Sequence, residues 1–203
     1  MDPAMTCIDG IVEHLAALMV ELRPLPTLFF GHSFGSLVAF ELARRLESDG
    51  RAPSCLIASA RRAPHLPMAH PPLHELSDPD FLVGMHRYCG TPWAILHNAE
   101  LMDLTLPALR ADFRAFETFN FRASAPLDVP TVVLRGRQDQ SMSVDAAFAW
   151  NEVIKPEIQV HEVDAGHFFM DTHRSWVLER VVDALQQHLP TGMQAGSRQI
   201  RAS

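Results

Sequence analysis

Thr27-Leu28-Phe29-Phe30-Gly31-His32-Ser33-Phe34-Gly35 decides the reading of this chain. An apolar run leads into Gly-x-Ser-x-Gly, and a helical pattern over 36–46 leads out of it. Leu28-Phe29-Phe30 reads as a strand buried inside a sheet. A serine between two glycines at a strand-to-helix junction sits on a sharp, strained turn, and a β-carbon at either glycine is expected to clash. Such a turn lifts the hydroxyl above the sheet. The helix behind it aims its first N–H groups at the same point. The five-residue pattern is weak alone, and its strand-before, helix-after setting sharpens it. The competing reading is an ordinary βα turn of a doubly wound sheet.

Outward from this turn the chain alternates strands and helices. Residues 8–22 place Ile8, Ile11, Val12, Leu15, Leu18, Met19 and Leu22 on an amphipathic helix. Residues 36–47 read as a helix with Gly50 as its stop. Residues 54–59 form a second strand, and its unbroken Cys55-Leu56-Ile57-Ala58 asks for burial on both faces of a parallel sheet. The pattern then changes. Residues 64–72 are rich in Pro and His, Ser77 caps a helix continuing to 88, and a break falls at Gly90-Thr91-Pro92. A longer helix over about 99–119 is expected to kink at Pro107. The stretch 76–122 has no strand signal and reads as a helical insertion. Strands at 131–134 and 158–163, with helices at 143–153 and 175–188, resume the alternation. The expectation is one α/β domain over 1–190, a mostly parallel sheet with helices on both faces, and a disordered tail over 191–203.

Bulk properties narrow the partners. The 203 residues are 47% hydrophobic and 20% charged, with a formal net charge of -7. That composition buries a core, and the absence of a basic cluster argues against nucleic acid or anionic membranes. No apolar run approaches the roughly 20 residues of a membrane span, and Met1-Asp2-Pro3-Ala4 does not open a signal peptide. Three widely spaced cysteines, Cys7, Cys55 and Cys89, suit a reducing compartment. A cytoplasmic protein is expected.

A serine hydroxyl needs a base to become a nucleophile, and the base needs an orienting acid. Asp139 follows the strand at 131–134, and His167 follows the strand at 158–163. Open α/β sheets put their sites at the carboxyl ends of strands, where Ser33, Asp139 and His167 would all lie. The rivals fit less well. His161 lies inside a strand, His173 and His188 bound the last helix, Asp145 falls in the first turn of a helix, and Asp164 is the other nearby acid. His65, His70 and His74 lack metal-ligand spacing, so no metal is expected. Phe113, Phe116, Phe119 and Phe121 read as packing for the insertion, with lining of an acyl channel as the alternative.

Gly31-to-Gly35 in this setting resembles the nucleophile elbow of the α/β-hydrolases. More specifically, the chain resembles the external, type II thioesterases of nonribosomal peptide and polyketide synthesis. The resemblance rests on Phe29-to-Gly35, Pro72-Leu73-His74-Glu75-Leu76, Gly90-Thr91-Pro92, Leu109-Arg110-Ala111-Asp112-Phe113, Pro126-Leu127-Asp128-Val129-Pro130, the Gly136-to-Asp139 loop and Gly166-His167-Phe168-Phe169. It implies an α/β-hydrolase-like fold with a helical lid. It also implies hydrolysis of acyl and aminoacyl thioesters from the phosphopantetheine arm of carrier proteins, clearing stalled or mis-primed carriers in antibiotic- or siderophore-type biosynthesis. Ser33 would be the nucleophile, His167 the base, Asp139 its orienter, and the Phe34 N–H one oxyanion donor. No metal or organic cofactor would be needed.

One departure accompanies the resemblance. Members of that family carry early strands and a Pro-x-Ala-Gly-Gly-like loop that donates the second oxyanion N–H, and neither is found ahead of the first helix here. The expectation is an N-terminally truncated member with early strands missing. Its Leu28-Phe29-Phe30 strand then becomes an exposed edge open to self-association. A general carboxylesterase or lipase, and an inactive remnant that only docks carriers, remain the alternatives.

Overall fold

The computed structural model describes residues 4–22, 25–68 and 70–189. Four parallel strands lie in the order of the sequence: β1 (Leu28–His32), β2 (Cys55–Ser59), β3 (Thr131–Gly136) and β4 (Gln159–Val163). Strand alternation divides the apolar residues between two faces. Leu56, Ala58 and Val133 face one core with Phe40, Ala43 and Trp150. Cys55, Ile57, Val132 and Leu134 face another with Phe169, Val177 and Ala184. All five residues of β2 are buried, as its unbroken apolar run requires.

Helix α1 (Ile8–Glu21) packs on α2 (Phe34–Ser48) through Ile8, Val12, Leu42 and Leu46. Between β2 and β3 the chain leaves the sheet and forms α3 (Asp78–Cys89), α4 (Trp93–Leu96) and α5 (Ala99–Glu117). These lid helices share their own small core of Leu73, Phe81, Met85, Leu96 and Met102. Ser77 caps α3 and Asn98 caps α5, which runs through Pro107 as one element.

The helix expected over 143–153 is split. Helix α6 (Val144–Phe148) gives way to a 3-10 turn, Ala149–Glu152. Trp150 is fully buried there, with its Nε1–H donated to the Arg61 carbonyl at 2.9 Å, and this anchor tightens the turn. A short α7 (Phe169–Thr172) precedes α8 (Arg174–His188). The tail expected to be disordered lies outside the described residues. No described helix is long and apolar enough to cross a membrane.

Candidate active site

Ser33 stands at the N-terminal boundary of α2, without a side-chain capping bond, at φ 53° and ψ -116°, a conformation that L-residues rarely adopt. The turn is held by its neighbours. Ser33 N–H donates to the Ser59 carbonyl at 2.8 Å, tying the tip of β1 to β2. The buried Ser36 hydroxyl lies 2.7 Å from the Gly31 carbonyl and 2.8 Å from that of Ser59, and it accepts Ser59 N–H at 3.0 Å. A β-carbon on Gly31 would sit 2.2 Å from the Gly35 carbonyl oxygen, so only glycine fits there. The expectation of a clash at both glycines holds for Gly31 alone. A β-carbon on Gly35 would meet nothing within 4 Å.

Asp139 and His167 come from the loops after β3 and β4, and those loops are laced together. Arg137 N–H donates to Val163 O at 2.8 Å and Gln138 N–H to Ala165 O at 3.0 Å. Gly136 permits the close approach, since a β-carbon there would lie 2.5 Å from Ala165 O. His167 Nδ1 is 2.8 Å from Asp139 Oδ2. The other carboxylate oxygen, Oδ1, accepts Ser141 N–H at 2.9 Å and Ser141 Oγ–H at 2.6 Å. Burial of Asp139 acts to raise its pKa, but the bonds from His167 and Ser141 outweigh it and hold the carboxyl below its ordinary value.

His32 fills the space behind His167. Its ring lies 5.3 Å from that of His167 and 5.4 Å from that of Phe169, and its Nδ1 is 2.9 Å from Ser59 Oγ. Burial, then the nearby His167, lower its pKa to about 4, so it is neutral at ordinary pH. Ser33, Phe34, Ser141 and His167 all open onto one cavity of about 200 Å³, roofed by Met68, Leu109, Phe113 and Phe116 from the lid side. Phe113 and Phe116 therefore face the cavity, whereas Phe119 packs with α1 and α2 and Phe121 against the core that holds Phe40 and Trp150. Of the three histidines weighed as metal ligands, His70 and His74 instead face the Glu117 carboxylate.

Sequence reasoning did not single out Ser141, Ser36 or His32. Ser141 alone left a local trace, a hydroxyl two residues after a loop aspartate.

A thioesterase-domain family model matches residues 2–189. The chain belongs to the thioesterase family. Among its relatives this thioesterase is 34% identical over 193 residues to the linear gramicidin dehydrogenase LgrE of Brevibacillus parabrevis, covering 93% of this chain and 73% of that one. It is 34% identical over 186 residues to thioesterase PikA5 of Streptomyces venezuelae, covering 91% of this chain and 66% of that one. The chain thus spans about two thirds of the length of PikA5. The LgrE name denotes a dehydrogenase, whereas the family match and the solved relatives are thioesterases. Among solved structures, the type II thioesterase BorB from the borrelidin biosynthetic cluster superposes with a TM-score of 0.81 at 33% identity, covering 89% of this chain and 74% of that one. The fold is that of these thioesterases, an α/β-hydrolase sheet beneath a helical lid.

Proposed function

We propose that this thioesterase hydrolyses acyl and aminoacyl thioesters carried on the phosphopantetheine arm of carrier proteins, and so clears stalled or mis-primed carriers in cytoplasmic peptide or polyketide assembly lines. The observation that carries this reading is the 2.8 Å contact between His167 Nδ1 and Asp139, beside a cavity that His167 shares with Ser33. With Nδ1–H donated to the carboxylate, the lone pair of His167 rests on Nε2 and is free to take the Ser33 proton as Oγ attacks the thioester carbonyl. Asp139 stabilises the imidazolium that results. Phe34 is the first residue of α2, so its N–H has no carbonyl one turn earlier within the helix, and it serves as an oxyanion donor. Protonated His167 then delivers its proton to the departing thiol. Water, activated by the same histidine, releases the acyl group from Ser33 and restores the enzyme.

The test is release of a short acyl group from a loaded carrier protein by this chain and by its Ser33→Ala variant. Hydrolysis by the chain, with loss of at least a thousandfold in the variant, is the expected result. Equal rates from both proteins would refute the reading.

A further inference from the structure

Two arginines follow β2 directly and border the same cavity. Ala60, at φ 53°, turns the backbone into the left-handed region just before them, an uncommon position for a residue with a β-carbon. The Arg61 carbonyl is pinned by Trp150 Nε1–H at 2.9 Å, so the backbone there is fixed. The Arg61 guanidinium lies 4.1 Å above the centre of the Phe116 ring on the lid helix, which sets its plane. Nε of Arg61 and Nε of Arg62 are both shut off from solvent and have no hydrogen-bond partner among the described residues.

Buried arginines are almost always paired, because an uncompensated charge in a low-dielectric site is strongly unfavourable. Here no described carboxylate acts on either guanidinium. Burial lowers Arg61 to about 9, with Arg62 adding repulsion, which still leaves it cationic at neutral pH; Arg62 is only partly buried and is lowered by that burial. Asp112 borders the cavity but is exposed and unpaired with them. Glu117, next in sequence to Phe116, is occupied by Leu73 and His74. The cavity that holds Ser33 therefore carries two neighbouring cations, and the one carboxylate among its lining residues, Asp112, forms an ion pair with neither.

We infer that Arg61, with Arg62 beside it, forms an anion-recognition point in the active-site cavity, which receives a carboxylate or phosphate group of the substrate. The inference rests on the thioesterase reading above. Two sources of that anion exist in such a substrate: a second carboxylate on the acyl group, or the phosphate of the arm. Arg61 lies two residues beyond Ser59, whose carbonyl binds Ser33 N–H, so it reaches groups close to the scissile bond, which favours an acyl carboxylate over the phosphate at the far end of the arm. The planar, stacked guanidinium suits two-point binding of either oxyanion.

Four ligands separate the possibilities: butyryl-pantetheine, malonyl-pantetheine, and the 4′-phosphopantetheine thioester of each. Their dissociation constants are measured by calorimetry on Ser33→Ala, which cannot turn them over, and on Ser33→Ala combined with Arg61→Gln or Arg62→Gln. At least one anionic substituent is expected to tighten binding by about ten- to hundredfold, the worth of charge-assisted hydrogen bonds, and Arg61→Gln should erase that gain. Butyryl-pantetheine, which carries no anion, should bind both proteins within about twofold. A gain confined to malonyl assigns the acyl carboxylate, and one confined to phosphopantetheine assigns the arm. The inference is overturned if no anionic group tightens binding to Ser33→Ala, if the gain survives Arg61→Gln, or if that change weakens all four ligands alike. Absence of any gain within Ser33→Ala overturns the inference even where a double variant does not fold, and Arg61→Lys, which keeps the charge but not the planar fork, then replaces Arg61→Gln as the test of a gain. Hydrolysis of butyryl-pantetheine by the unaltered chain tests the thioesterase reading separately.

Discussion

Asp139 is gripped from two sides, and the grips are separable. His167 takes one carboxylate oxygen while the N–H and hydroxyl of Ser141 take the other. Replacing Ser141 with Ala removes one hydrogen bond to a charged, buried acceptor, worth about 1.5 kcal/mol, and lets the carboxyl swing. kcat should fall about tenfold with KM nearly unchanged, read from steady-state hydrolysis of a soluble thioester, and an unaltered kcat would remove Ser141 from the machinery. His32 makes a different prediction, about stability. Its pKa falls from 6.5 to about 4 on folding, so between those values the unfolded chain binds more protons than the folded one. Stability attributable to His32 is therefore complete above about pH 6.5 and drains away as the pH falls toward 4, by up to about 3 kcal/mol. Urea midpoints measured across that range should drop, and His32→Gln should flatten the slope. A variant with the parent slope would show that other groups carry it.

Among the elements, the lid is tied down by one acid. Glu117, with 1% of its side chain exposed, accepts Leu73 N–H at 2.8 Å, His74 N–H at 2.9 Å and His74 Nδ1 at 2.7 Å. It thus fastens the end of α5 to the loop that enters α3. Glu117→Ala would strand two buried N–H groups and should cost about 2–4 kcal/mol. Hydrogen exchange at Leu73 and His74 should quicken by more than tenfold, while exchange in β2 and β3 stays slow. Such ties explain what was legible and what was not. Strands such as Cys55–Ser59 announce themselves through their own apolar runs, and Ser77 signals its cap locally. The loop positions of Asp139 and His167 could be read from the strands before them. Glu117, Arg61 and Ser36 owe their roles to partners 23 to 55 residues away, which no local pattern reveals. The split of the 143–153 helix has the same origin, a tryptophan drawn into the core. The open space at Gly35 was hidden too, since motif logic treats the two glycines alike while geometry does not.

For the whole molecule, the sheet has an unequal pair of sides. Strand β1, which carries the serine turn, pairs with β2 alone among the described residues, and Phe30 on it is 36% exposed. Because Ser33 N–H points toward β2, alternation directs the N–H groups of Phe30 and His32 to the open side. Their exchange should be fast in the 203-residue chain, beside slow exchange at Ile57 and Val133. Equal protection along all four positions would mean that another segment or a second chain covers the edge. The lid is distinct in another way, since its apolar nucleus of Leu73, Phe81, Met85, Leu96 and Met102 is separate from both cores of the sheet. The described residues between 60 and 72, and those at 118–130, lie in no helix or strand and join the lid to the sheet. The outer part of such a cap, α3 and α4, can lift while the end of α5 stays rooted, since Ala115 is buried with Leu37 and Leu42 of α2. Its motion then belongs to the microsecond-to-millisecond range and drags solvent with it. An enzyme built this way would keep time by friction: at saturating substrate its turnover would slow in a viscous medium even though no bond being broken had changed.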